Sequence, residues 1–335
     1  MPPGLYFRHE SSVEHETGSH PENKARIPAI EGELERRGWL GWERREAPAA
    51  ELALIERIHT REHIDHIRSV AESGGGWFDA DTLASPGSYN AALHAAGGAC
   101  ALVDAVMSRA APTAFAGLRP PGHHCETARP MGFCLFNNVA IAAQHALDSH
   151  AAERVVVFDW DVHHGNGTND IFHARRDVLY ISIHQSPLYP GSGRLRDVGS
   201  GDGEGFTVNL PVPPRAGEPI WLSLVQHIVA PVVRAYEPGL ILVSAGFDAH
   251  RDDPLAQCSL ETESFAKMAT HVVALAHELD VPFGAVLEGG YDLDALAASV
   301  AATMEAFGNG GVPEERAREA VTDAAASVVG GYWPV

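Results

Sequence analysis

From Arg154 onward, short apolar runs alternate with longer stretches of helical period. Residues 155–159, 178–183, 206–210, 240–245 and 282–287 are β-branched or apolar runs of strand length. Residues 138–148, 217–236, 261–279, 293–307 and 313–326 instead space their apolar positions three and four apart, as one face of a helix does. Pro231 predicts a kink inside 217–236. Strands apolar on both faces, alternating with helices, predict a mostly parallel α/β sheet covered on both sides. The first part of the chain is less regular. Residues 20–37 open with His20-Pro21-Glu22-Asn23 and read as a charged amphipathic helix, with Pro28 a weak point or break. Thr60 is the N-cap expected for a helix carrying Ile64, Ile67 and Val70 on one face. Residues 88–109 are Ala-rich and helical, and a short strand is expected near Thr113 to Leu118. The glycine turn 74–76 leads into Trp77 to Asp81, which reads as loop. No repeat, linker or low-complexity tract interrupts this pattern, so residues 1–335 are expected to form one domain.

Charge and cysteine content narrow the range of functions. A net charge of −20 argues against a nucleic-acid partner, which needs a basic face, and is compatible with cationic substrates. Cys100, Cys125, Cys134 and Cys258 form no C-x-x-C pair, which favours a reducing compartment. The first residues lack the apolar core of a leader, and no run approaches about 18 uninterrupted apolar residues. The expectation is a cytoplasmic protein with no membrane partner.

Four strand ends carry the chemistry. Asp159, Asp161 and His163 alternate along an extended chain, so their side chains point the same way, and Gly165 and Gly167 then open a loop. Two carboxylates and an imidazole at the end of a buried strand suit a metal ion. Asp161 and His163 are the candidate ligands, with Asp159 set back to orient a histidine and Asn166 in a similar uncharged role. The stiff turn Pro120-Pro121-Gly122 presents His123 and His124, a placement suited to a general base. The strand at 240–245 leads to Asp248, His250, Asp252 and Asp253, one of which would complete a three-ligand metal set with an open position. The strand at 282–287 leads to Glu288-Gly289-Gly290-Tyr291, where the phenol could donate to an oxyanion. His59-Thr60-Arg61-Glu62-His63 matches a zinc-peptidase string, but it opens a polar helix without a nearby third ligand and is set aside. His145, His150 and His271 are read as surface or packing residues, and nothing marks Cys125 or Cys134 as a nucleophile.

Together these strings resemble the zinc-dependent histone deacetylase superfamily. The match is to its class II branch of bacterial histone-deacetylase-like and acetylpolyamine amidohydrolases. The resemblance is carried by His20-Pro21-Glu22, R-P-P-G-H-H at 119–124, M-G-F-C-L-F-N-N-V-A at 131–140 and D-W-D-V-H-H-G-N-G-T at 159–168. It continues through Y-I-S-I-H-Q at 180–185, Y-P-G-S-G at 189–193, V-S-A-G-F-D-A-H at 243–250 and E-G-G-Y-D at 288–292. It implies an arginase/deacetylase-type α/β fold, a central sheet of about eight strands with helices on both faces. It implies one Zn²⁺ held by Asp161, His163 and Asp248, although Asp₂His also suits Fe²⁺ or Co²⁺. His123 would pair with Asp159 and His124 with Asn166, where class I members carry Asp. Tyr291 matches the tyrosine expected of active deacetylases. Structural K⁺ or Na⁺ is implied at Asp159, Asp161, His163, Ser182 and Ile183, and at Phe172, Arg175, Val178 and Phe206. Gly132, Phe133, Tyr189 and Leu255 match the substrate tunnel. Tyr189 replaces a more usual Phe, and Leu255 replaces the Glu of some polyamine-selective relatives. Arg26 matches an arginine near an inner exit cavity, and either Asp79 or Asp81 could supply a rim carboxylate. The implied substrate is an acylated amine, acetyl-lysine or an acetylpolyamine, and the protein is a possible homo-oligomer. Ureohydrolases share the fold but need carboxylates where Gly165 and His250 stand here; a non-catalytic acyl-binding module would not need Tyr291 and both histidines.

Overall fold

The computed structural model describes residues 3–150 and 152–335. Its strands are β1 (Leu5–Arg8), β2 (Glu43–Glu46), β3 (Gly76–Trp77), β4 (Leu83–Ala84), β5 (Ala114–Ala116), β6 (Val155–Asp159), β7 (Val178–Gln185), β8 (Thr207–Val212), β9 (Leu240–Ala245) and β10 (Phe283–Leu287). β3 and β4 pair only with each other, antiparallel. The other eight form one sheet in the order β2-β1-β5-β10-β9-β6-β7-β8. Every neighbouring pair in it is parallel.

Alternate residues of the strands enter two separate cores, as the two-residue period of a strand requires. On one face Val156, Phe158, Ile181 and Val243 pack with Phe265, Met268, Leu296 and Val300 from helices Thr262–Leu279 and Leu293–Asn309. On the other, Val155, Val157, Leu240 and Leu242 pack with Leu102, Val103, Val139 and Ile141 from helices Ser88–Met107 and Asn138–Ser149. Ser88–Met107 is long and apolar enough to cross a membrane by length and composition; here 67% of its most apolar window is buried within the fold.

β5, β10, β9 and β6 lie side by side although their order in the chain is different. Parallel strands place all their carboxyl ends along one edge, so the loops after these four strands converge there.

Several elements differ from the pattern reading. The helix expected over 20–37 runs Arg26–Arg36, because Asn23 Oδ1 accepts the Ala25 N–H at 2.9 Å and holds 23–25 as a turn. Pro28 then falls in the first turn, where a missing N–H breaks no helical bond. The expected helix over 313–326 is Ala320–Val329. Its supposed first turns are held open by side chains: Arg316 N–H donates to Gln226 Oε1 at 2.8 Å and Glu319 N–H to Ser223 Oγ at 3.0 Å. Residues 217–236 form two α-helical segments joined by a π-helical turn at Val225–Val229, immediately before the expected kink at Pro231. The loop read at 77–81 contains the end of β3.

Candidate active site

The last residue of β6 is Asp159, and the turn that follows sends Trp160 into the core and Asp161 and His163 into the cleft. Asp248 arrives three residues beyond β9. His163 Nδ1 lies 3.0 Å from Asp248 Oδ2 and 3.2 Å from Asp161 Oδ1. Both carboxylates are wholly buried. Backbone N–H groups hold their other contacts: Gly289 and His163 donate to Asp161, at 2.8 and 2.9 Å, and Val162 donates to Asp248 at 2.9 Å. A Cβ on Gly289 would stand 2.2 Å from Asp248 Oδ2 and 2.6 Å from Asp161 Oδ2, and one on Gly246 would stand 2.0 Å from Asp161 Oδ2. The two glycines therefore leave the carboxylates room to converge. Two buried acids facing one imidazole are expensive to hold without a cation, and O, N, O donors suit zinc.

His123 and His124 stand beside this cluster with their rings 4.0 Å apart. Their Nδ1 atoms have different partners, Asp159 Oδ2 at 3.0 Å and Asn166 Oδ1 at 2.9 Å. Burial alone would lower the pKa of His123, but the carboxylates of Asp161 and Asp159 outweigh it and push it up to about 10. Burial, reinforced by His123 and His163, holds His124 well below the usual imidazole value. The carboxylates thus favour the cationic form of His123, and burial favours the neutral form of His124. Asn166 can only accept from Nδ1–H, which leaves the lone pair of His124 on Nε2.

A cavity of about 180 Å³ opens above them, lined by Asp81, His124, Gly132, Phe133, His163, Leu188, Tyr189, Leu255 and Tyr291. Tyr189 stands edge-on to His124 with centroids 5.2 Å apart, and Phe133 stands edge-on to Tyr291 at 5.8 Å. Gly132 and Phe133 both have positive φ, 55° and 71°. A side chain on Gly132 would also meet the His124 ring at 2.4 Å. Asp81 is the rim carboxylate that lines the cavity; Asp79 Oδ1 turns back to accept the Asp81 and Thr82 N–H groups.

Several supporting contacts were not foreseen by the sequence reading, which had Arg26 only as a match near an inner cavity and Asp253 only as one possible metal ligand. Glu288 is buried and accepts the N–H groups of Gly122 and His123 at 2.7 and 3.1 Å, tying the histidine loop to β10. Asp253 accepts from Leu255 N–H and Tyr291 N–H at 2.9 and 2.7 Å and so joins the tunnel rim to the tyrosine. Tyr180 donates to Asp159 Oδ2 at 3.0 Å. Arg26 donates to the carbonyls of Glu288 and Gly290, while Glu22 receives both Arg26 and the buried Arg119. These roles depend on contacts between residues far apart in the chain, which no local spacing reveals.

Of the expected cation positions, β6–β7 register sets Ser182 directly opposite Asp159, with Ile183 next along the strand. Phe172, Arg175 and Val178 bracket the turn into β7, and the carbonyl of Phe206 accepts from Tyr180 at the adjoining edge. The string at 59–63 does gain a third donor-type neighbour, Cys125, contrary to the sequence reading. However, His59 already spends both nitrogens, Nδ1 on Thr127 O at 3.2 Å and Nε2 on Asn137 N–H at 2.9 Å. The Cys125 thiol meanwhile donates to Leu135 O at 3.0 Å. The trio anchors the helix Arg61–Glu72 to the histidine loop.

Comparison with known proteins bears on the family and the fold. A family model described as "Histone deacetylase domain" matches residues 20–307. The chain is 38% identical over 325 residues to histone deacetylase 14, chloroplastic, of Arabidopsis thaliana, covering 90% of this chain and 76% of that protein. It is 38% identical over 294 residues to a histone deacetylase-like amidohydrolase of Pseudomonas aeruginosa, covering 87% and 76%. The crystal structure of the HDA15 HD domain superposes with a TM-score of 0.93 at 32% identity, over 99% of this chain and 95% of that one.

Proposed function

Because the chain belongs to the class II histone deacetylase superfamily and is a deacetylase-type hydrolase of arginase/deacetylase fold, we propose that it is a single-domain amidohydrolase that uses one zinc ion to remove acetyl or other short acyl groups from an amine such as the lysine side chain. The observation that carries this reading is the adjacency of a buried Asp161–His163–Asp248 donor set and two histidines held by different partners, Asp159 and Asn166, beside one cavity.

Asp161, His163 and Asp248 would hold the ion, which supplies a Lewis acid to the acyl carbonyl and the attacking water. His124 takes the proton from the water on Nε2, since Asn166 fixes its tautomer, and returns it to the departing amine. His123 stays an imidazolium against Asp159 and offsets negative charge as it develops. Tyr291, kept a phenol by burial, donates to the oxyanion. Phe133 and Tyr189 flank an extended acyl-lysine stem and exclude water. Ser182 and Phe206, with their neighbours, belong to two proposed K⁺ or Na⁺ positions that brace β6 and β7. Gly165 and His250 stand where the two-metal ureohydrolase chemistry needs carboxylates, which favours one metal.

The test is to measure turnover of an acetyl-lysine peptide, an acetylpolyamine and a longer acyl-lysine on a sample whose metal content is determined. One zinc per chain with turnover of acetylated amines is expected. Two metals per chain, or no turnover of any of the three, would overturn the reading.

A further inference from the structure

The helices Ser88–Met107 and Asn138–Ser149 pack side by side under the sheet. The second begins next to the histidine loop and ends just before β6 starts, so its C-terminus lies at the edge of the sheet opposite the active site. There three metal-ligating side chains converge. Asp104 is in the last turn of the first helix, His145 is in the last turns of the second, and His150 is its C-cap. Both imidazole Nε2 atoms lie 2.7 Å from the same atom, Asp104 Oδ1. The histidines are five residues apart, a spacing that helical geometry alone does not bring together. They meet because His150 leaves the helix at φ −117° and ψ 10°, which turns its ring back until the two centroids are 5.5 Å apart.

We propose that Asp104, His145 and His150 form a second metal site, for a divalent transition-metal ion of the Zn²⁺, Ni²⁺ or Cu²⁺ type, clipping the two helices together. Two imidazoles and a carboxylate are the donor types these ions take. Ser149 Oγ lies 3.3 Å from His145 Nδ1, where it can accept Nδ1–H and so fix the tautomer with its lone pair on Nε2. The histidine side chains are 11% and 22% exposed and that of Asp104 is 56% exposed. An ion can therefore reach the site from solvent and keep water on its open side. With metal bonds of about 2.0–2.1 Å the donors would stand roughly 3.3 Å apart, and the exposed Asp104 carboxylate can retreat by that margin. The buried group at His59, His63 and Cys125 offers no such site, since both nitrogens of His59 are already engaged.

The site is tested on the intact enzyme with Zn²⁺ as the probe. After loosely held metal is removed, Zn²⁺ is titrated calorimetrically into the wild type and into His150→Ala and Asp104→Asn. The wild type is expected to take up one equivalent beyond the active-site ion, and both variants to bind it at least tenfold more weakly. Turnover is expected to be unchanged in the variants, because these residues lie at the far edge of the sheet. Added Zn²⁺ should also raise the melting temperature of the wild type by more than that of His150→Ala. Equal stoichiometry and affinity in all three proteins would mean that zinc is spread over unrelated surface histidines, and no additional uptake would leave only a His–Asp–His hydrogen-bonded clasp. Either result overturns the proposal.

Discussion

Burial, with the Asp248 carboxylate behind it, holds the Tyr291 hydroxyl protonated far above the ordinary phenol range, so it keeps a proton to donate within the cavity. Tyr291→Phe removes that donor while leaving the ring that packs on Phe133. Turnover should fall by at least about tenfold with metal content unchanged, measured by single-turnover kinetics beside metal analysis; wild-type turnover would remove Tyr291 from the chemistry. His59 gives a test of a different kind. Burial, then His63, lowers its pKa to about 3, so the folded protein keeps it neutral while the unfolded chain protonates it near pH 6.5. Its stabilising contribution is complete above that value and is lost as pH falls toward 3. Glu288 and Asp253, both pushed up to about 7 by burial, titrate with the opposite sign in part of this window. The effect therefore has to be read as a difference: between pH 6.5 and 4, the denaturant-measured stability of the wild type should gain, per unit rise in pH, up to about 1.4 kcal/mol more than that of His59→Asn. At this scale Asp161, His163 and the tandem histidines were legible, because each sits in a local pattern with its own chemistry. Glu288, Asp253 and Tyr180 were not, because each acts on a loop supplied by another strand.

Among the elements, the end of β10 bears most directly on the proposed metal donors. Gly289 donates its N–H to Asp161, accepts the Phe247 N–H through its carbonyl, and leaves no space for a side chain beside Asp248. Gly289→Ala must push the two carboxylates apart, and zinc affinity measured by competition with a chelator should fall about 10–100-fold. An unchanged affinity would mean that the loop yields instead. The central strands could be read from their apolar runs, since burial on both faces removes polar residues from them. β2 could not. Its residues, Glu43-Arg44-Arg45-Glu46, are all exposed at the edge of the sheet. Charge there discourages pairing with another chain and erases any apolar signature. The late start of the helix Ala320–Val329 was hidden for a related reason: Ser223 and Gln226, from a distant helix, capture the backbone that the local pattern assigns to it.

At the scale of the whole molecule, a net charge of −20 and the rim carboxylate Asp81 set an attractive field for cationic substrates. The kcat/KM of a positively charged acetyl-lysine peptide should therefore fall several-fold as ionic strength rises toward about 1 M, where screening acts within about 3 Å. That of a neutral peptide should change little, and parallel behaviour of the two would remove long-range steering from the account. The α/β class and parallel sheet followed from alternating strands and helices, but the order of strands did not, because register across a sheet is settled by packing between distant segments. That order has a consequence for how the protein is made. β5 and β6 are neighbours in the chain, yet β9 and β10 must slot between them. A nascent chain that has emerged only as far as β8 offers two raw edges of unpaired backbone and two of the three proposed metal donors. The proposed ion could be captured only after the last third of the polypeptide has closed the gap, and until then those open edges are the parts of the molecule most in need of a chaperone.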